Sequence, residues 1–295
     1  MVQFWQKTRR RIFPVVMWTI MLLWVLIFLL LLGWGIMTSF KTQLDFLLYP
    51  IGWPKEFKFD NYLTAIEKIN VTLVSKNGTR TVWMEEMFLN SILYAGGSAF
   101  FAVFSACIAS YIIAKYQKYS IIRKLFAVLV IVLFLPMGAS LASQLKLLQT
   151  LGLYDSMIGM WIYQSGAFGS MFMIYYATFR GVSWSYAEAA FIDGASPYRV
   201  FFQIMFPMTK SIFGVLFLTS FINLWNDWQI PMVFLPSYPT IAYGSWKIQY
   251  SVDQEFAKVP LQLAGLTIVI LPILLIFVIF QKRIMEGVSF GGLKG

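Results

Sequence analysis

The sequence contains no histidine, so no imidazole base, proton shuttle or His metal ligand is available to it. Its single cysteine, Cys107, lies in an apolar stretch, which excludes an internal disulfide and any multi-cysteine metal centre. Charge is scarce as well. Asp, Glu, Lys and Arg make up 12% of the 295 residues, against roughly 25% in an ordinary soluble domain. So few charged groups cannot cover a soluble surface, which argues against a soluble enzyme, a disordered chain and a disulfide scaffold. There is no G-x-x-x-x-G-K-[ST] loop to cradle a nucleotide phosphate, no repeat with a period of about 20–50 residues and no low-complexity tract.

Apolar sequence is abundant. The chain is 59% hydrophobic with a mean hydropathy of +0.70. A membrane helix needs about 20 mostly apolar residues, and six runs qualify: 13–37, 89–114, 125–142, 157–179, 212–235 and 261–281. The expected fold class is an all-α membrane protein with six transmembrane helices. The first run follows Lys7, Arg9, Arg10 and Arg11, as in a signal peptide. Its apolar core is about twice the usual length and no small-x-small cleavage site follows, so it reads as a retained anchor.

The formal net charge of +10 comes from 23 basic and 13 acidic residues. With the N-terminus inside, fourteen of the basic residues fall on cytoplasmic segments, facing only Glu188, Asp193 and Glu286. That asymmetry follows the positive-inside rule and accounts for the net charge without nucleic acid. Both termini come out cytoplasmic: a tail of 1–12, a membrane domain of 13–281 and a tail of 282–295. The long external loop 39–88 carries Asp60-Asn61-Tyr62 before an amphipathic stretch. The strand-forming residues around Lys76-Asn77-Gly78 predict a β-hairpin over 71–83 through a type I′ turn. Such a hairpin is either a docking surface for an external partner or an insertion in a tolerant loop. Asn70 and Asn77 match glycosylation sequons, as short motifs do by chance.

One cytoplasmic stretch, 181–210, is distinctly more polar than the spans beside it. Ser185, with Glu188 three residues on, fits a capping box opening a short helix. Asp193-Gly194 breaks that helix, Ser196-Pro197 starts a second, and Pro207 ends or kinks it before the fifth span. Small residues at Ala189, Ala190, Gly194 and Ala195 allow close approach by another surface, and Glu188 and Asp193 are nearly the only acids on a basic face. By residue chemistry alone this is either a docking surface or an amphipathic connector.

Glu188-Ala189-Ala190, then Gly194, then Ile204 and Pro207 resembles the EAA signature, E-A-A-x3-G-x9-I-x-L-P, of permease subunits of ATP-binding-cassette importers. Every spacing is kept. Phe206 stands where Leu is usual, and Ser183 where the family tends to have Pro. Leu224-Trp225-Asn226, Asn90-Ser91, Pro136 followed by Leu151-Gly152-Leu153-Tyr154, and the terminal Gly291-Gly292-Leu293-Lys294-Gly295 resemble the shorter permease of maltose-type carbohydrate importers. The likeness runs from about residue 10 to 295, apart from an insertion at 70–84.

The resemblance implies a type I importer permease fold and no enzymatic activity or cofactor, with ATP bound by separate ATPase subunits. It implies a second homologous permease, an ATPase dimer and an extracytoplasmic sugar-binding protein as partners, and a multi-pass location in the cytoplasmic membrane of a prokaryote. The stretch 181–210 would be a coupling helix, with Glu188, Ala189, Ala190, Asp193, Gly194, Ile204 and Pro207 as its ATPase-coupling residues. Gly292 and Lys294 in the tail would also reach the ATPase. Tyr238, Tyr243, Trp246 and Tyr250, in 236–260, would touch the binding protein or form an interfacial aromatic belt. Candidates for the substrate path are Asn223, Trp225, Asn226 and Asp227, with Gln144 and Gln164 behind them. A carboxylate within a span is costly, so Asp227 should face protein or water; it either meets substrate or ties the fifth span to its neighbours. An importer for a non-sugar solute and a secondary transporter are the alternatives. A membrane-embedded enzyme finds no nucleophile–base pair and no metal cluster in the sequence.

Overall fold

The computed structural model describes residues 2–75, 78–134, 141–166, 169–250 and 258–289. The chain folds as two compact units, 1–69 with 247–271, and 70–246 with 272–295. It is mainly helical, as the apolar runs require.

The first unit opens with α1 (Val2–Ser39), whose apolar side chains from Phe13 to Leu32 are all exposed. A helix apolar around its whole circumference suits lipid. Beyond it, Thr42 caps the short α2 (Gln43–Leu48) by accepting the Asp45 amide at 3.1 Å. The helix α3 (Asp60–Lys68) returns to the end of α1. Asn61 Nδ2 donates to the carbonyls of Ser39 (2.8 Å) and Lys41 (2.9 Å), and the Tyr62 and Ser39 hydroxyls meet at 2.6 Å. Phe40 packs its ring among Phe57, Phe59 and Tyr62.

The second unit opens with antiparallel strands β1 (Val71–Ser75) and β2 (Gly78–Val82), paired from Val71↔Val82 to Ser75↔Gly78. Gly78, placed in the turn by its sequence, begins β2 with φ +128°; residues 76–77 lie outside the described residues. The long α4 (Met84–Lys115) is the spine of the unit, with α7 (Met157–Gln164), α8 (Ser170–Gly181) and α12 (Lys210–Trp225) against it. Around them lie α5 (Ser120–Phe134), α6 (Leu141–Thr150), α9 (Ser185–Ile192), α10 (Pro197–Val200), a π-helical turn over Phe201–Met205, α11 (Phe206–Met208), α13 (Gln229–Phe234) and α14 (Ile241–Gln249). The last helix is α15 (Val259–Ser289). Near the N-terminal end of α4, Asn90 Nδ2 donates to the Pro239 carbonyl (3.1 Å) and Ser91 Oγ accepts the Ile241 amide (2.8 Å). Those bonds anchor the segment after the fifth apolar run and give Asn90-Ser91 a physical task.

Among the described residues, three helical stretches are long and apolar enough to cross a membrane: Phe13–Ser39, Met84–Lys115 and Val259–Gln281. A fourth arises if Pro197–Met208 and Lys210–Trp225, bent by 73°, are taken as one span. The other expected runs are differently built. The run 125–142 meets α5 and the first residues of α6, with 135–140 outside the described residues. The run 157–179 is interrupted between α7 and α8, and the run 212–235 between α12 and α13. Backbone breaks at membrane depth are tolerated where protein or a water-filled cavity satisfies the freed polar groups.

Candidate functional site

The stretch 181–210 folds as the expected helix–turn–helix. Helix α9 ends in a complete Schellman motif, in which Gly194 N donates to Phe191 O (3.0 Å) and Ala195 N to Ala190 O (2.9 Å). Gly194 holds φ +79°, which suits a residue without Cβ. Ser196 caps the second helix by accepting the Arg199 amide at 3.3 Å, with Pro197 at its first turn. The start of α9 differs from expectation. Ser185 is its first residue and not its cap; Trp184 precedes it, and Ser183 Oγ accepts the Ser185 amide at 3.3 Å. Ser183 thus supplies a local turn bond where the family pattern favours Pro. Pro207 does not end the second helix. The chain continues through the π turn and α11, then bends at Thr209, two residues later.

This segment is fixed to the unit from beneath. Ala187, Val200, Phe201 and Met205 are buried with Tyr111 of α4 and Phe179 of α8, and Ala190 and Phe191 pack against the same cluster. The Trp184 ring lies 5.7 Å from Tyr116 and 6.1 Å from Phe191. Lys115 Nζ donates to the Val182 carbonyl. A close-packed contact of this kind transmits displacement to the helices it touches. On the outer side, Glu188, Ala189, Asp193 and Gly194 are exposed, as is Pro207, while Ile204 is half-buried. Two large apolar residues missed by the sequence reading share that exposure, Ile192 at 86% and Tyr198 at 79%. Tyr186, Phe202 and Met208 of the same stretch are exposed to a lesser degree, so apolar character in the sequence did not single these two out. Gly292 and Lys294 lie outside the described residues.

The candidate path residues separate into different roles. Asn223 is exposed and lines a cavity with Gln164 and Ser220. Trp225 is 2% exposed and packs its ring against Phe88 and Phe221, which makes it a core residue. Asn226 Nδ2 donates back to the Ile222 carbonyl at 2.8 Å. Asp227 lies at the break between α12 and α13, where Oδ1 accepts the amides of Gln229 (3.0 Å) and Ile230 (3.1 Å) and Oδ2 accepts the Tyr94 hydroxyl (3.1 Å). Both carboxylate oxygens are engaged in holding the break, so the geometry favours a tie between elements. Gln144 accepts the Tyr163 hydroxyl at 2.8 Å. Trp246 of α14 stacks on Trp228 with centroids 4.5 Å apart, with Tyr243 beside it; Tyr250 is exposed, and 251–257 lie outside the described residues.

Among the described residues no group of three or more Cys, Asp or Glu side chains converges as a metal site would require. The chain is 26% identical over 290 residues to the diacetylchitobiose uptake system permease protein of Streptomyces coelicolor, covering 95% of this chain and 89% of that one. It is 24% identical over 266 residues to the melibiose/raffinose/stachyose import permease protein of Bacillus subtilis, covering 88% of each. Its fold matches a chain in a crystal structure of a bacterial ABC transporter involved in the import of the acidic polysaccharide alginate. That match has a TM-score of 0.73 at 20% identity and covers 92% of this chain and 96% of the other. The profile of the binding-protein-dependent transport system inner membrane component family matches residues 82–289. The chain belongs to that family and is a multi-pass membrane permease component of an ABC importer, not an enzyme.

Proposed function

We propose that this chain is the permease subunit of an ATP-driven importer of sugars or oligosaccharides, and that 181–210 is the handle through which the ATPase moves it. In this reading six spans place both termini in the cytoplasm, with the breaks in the fourth and fifth apolar runs inside the membrane. A second, homologous permease completes the path, an ATPase dimer seats α9 and its turn, and an extracytoplasmic binding protein delivers solute. ATPase closure displaces α9; the packed cluster passes the motion to α4 and α8, and the path opens to alternate sides. The sugar substrate class is supported by the activities named for the relatives, diacetylchitobiose uptake and melibiose, raffinose and stachyose import.

The observation that carries this reading is the two-sided build of α9: Ala187 buried in the cluster beneath, Glu188, Ala189 and Ile192 bare above. Small residues at Ala189 and Gly194 let a groove wall come close, and Ile192 and Tyr198 supply apolar anchors of the kind that dominate interface energetics. The test is uptake in the assembled complex. Glu188→Lys and Gly194→Trp are expected to insert in the membrane while losing solute uptake, with ATP hydrolysis no longer stimulated by the loaded binding protein. Unaltered uptake in both variants contradicts the assignment.

A further inference from the structure

The loop after α1 reverses the usual amphipathic order. Leu44, Leu47 and Leu48 of the short α2 are exposed, and Ile51 and Trp53 in the turn that follows are 86% and 79% exposed. The acid of that helix, Asp45, is its buried residue. A helix packed for water buries its leucines and exposes its carboxylates. Here the face turned away from the protein is the apolar one. A contiguous exposed apolar surface of this kind marks contact with a membrane or another protein. The segment is meanwhile tied down from the protein side. Lys41 Nζ donates to the Tyr49 carbonyl (2.7 Å), Trp34 Nε1 to the Pro50 carbonyl (2.8 Å) and the Lys55 amide to Asp45 Oδ2 (3.1 Å).

The bond from Trp34 decides what this face meets. Trp34 lies more than one turn inside the end of α1 at Ser39, about 7 Å at the helical rise. Helix α1 is long and apolar enough to cross a membrane and is exposed all round from Phe13 to Leu32. Pro50 is therefore carried back alongside the span, and the bare face of 44–53 continues the lipid-facing surface of α1. We propose that residues 44–53 are an interfacial anchor, and that the occupant of their exposed face is lipid at the headgroup–acyl boundary, with Leu47, Leu48, Ile51 and Trp53 inserted. The depth agrees with the roughly 5–10 Å to which interfacial segments sink their apolar side. Backbone carbonyls in that region need partners from the protein, and Lys41 and Trp34 supply them to Tyr49 and Pro50. Tyr49, with the Lys55 ammonium 4.1 Å from its ring centroid, makes the polar edge at headgroup level, where aromatic rings and snorkelling lysines settle. The anchor fixes the depth of this end of α1. It requires only that α1 spans the membrane, so it stands or falls apart from the importer reading.

The test uses the complete complex in proteoliposomes, with a bimane label on Ile51→Cys, and separately on Leu47→Cys, in a Cys107→Ser background. Phosphatidylcholine brominated on the acyl chain near the headgroup is expected to remove most of the fluorescence at both sites. Phosphatidylcholine brominated near the chain end removes less, and aqueous iodide removes little. Trp34→Phe keeps an aromatic ring but loses the donor to Pro50; it is expected to weaken quenching by lipid and raise quenching by iodide. Stronger quenching by iodide than by lipid at both sites of the complex with Trp34 intact overturns the anchor. A label reached by neither quencher also overturns it and gives the face to a second permease. Quenching by lipid that disappears when loaded binding protein is added gives the face to that protein, and overturns the anchor as well. The readout is not uptake, so each of these outcomes leaves the importer reading where it stands.

Discussion

Gly194 occupies a left-handed conformation with open space where a Cβ would stand, so substitution there is limited by backbone strain and not by crowding. Left-handed backbone costs an L residue about 1–2 kcal/mol, and Asn tolerates it best. Gly194→Asn is expected to keep near-normal assembly with the ATPase, and Gly194→Val to lose most of it, measured as the yield of ATPase co-purifying with the permease. Asp227 offers a second single-residue case. Asp227→Asn keeps an acceptor for the amides of Gln229 and Ile230 and is expected to transport with unaltered solute preference. Asp227→Leu removes the cap, worth about 0.5–2 kcal/mol, and is expected to lower transport and melting temperature together. The Schellman turn and the Ser196 cap were legible in the sequence because both depend on neighbours within a few residues. The Ser185 cap was misread because the helix begins one residue earlier than expected: the amides of Ala187 and Glu188, which a Ser185 cap would take, donate to the Trp184 carbonyl. Of the two roles left open for Asp227, the geometry favours the tie between elements; the break it holds contains no Gly or Pro, so the run read as unbroken, and the usable signal was Pro231 in the first turn of the next helix.

At the scale of elements, α4 is the part on which the others depend, and its small residues set how closely they approach. A Cβ on Gly97 would stand 2.1 Å from the indole nitrogen of Trp161, which donates to the Leu93 carbonyl at 3.0 Å and stacks on Phe101. Gly97→Val must push α7 away from α4. Overpacking of this kind costs about 1–3 kcal/mol, so the variant is expected to melt earlier in detergent, read by differential scanning fluorimetry, with the Trp161→Ala background relieving part of the loss. The long helices were legible because unbroken apolar runs of their length leave few alternatives. The interruption at 226–228 was not, since hydropathy averages over a window and does not register a few residues of non-helical backbone, here tied by the Asp227 carboxylate. The 73° bend at Thr209 was half-legible: Pro207 marked it, but the π turn before it allowed the helix to run two residues further.

For the whole molecule, the exposed apolar circumference of α1 and the bare outer face of α9 mark surfaces that the chain alone leaves uncovered. The first suits lipid; the second is polar, small and acidic with two apolar anchors, which suits a protein groove. That contrast was partly visible in composition, because 181–210 is distinctly more polar than the apolar runs beside it, whereas the exposure of Ile192 and Tyr198 required the three-dimensional packing. The most direct measurement of the central claim is the accessibility of a cysteine placed at Ala189 in a Cys107→Ser background, probed with a membrane-impermeant maleimide in oriented vesicles. The account predicts labelling from the cytoplasmic side when the ATPase has been stripped, protection when it is restored, and no labelling from outside. Labelling from the external side, or equal labelling with and without the ATPase, would contradict it.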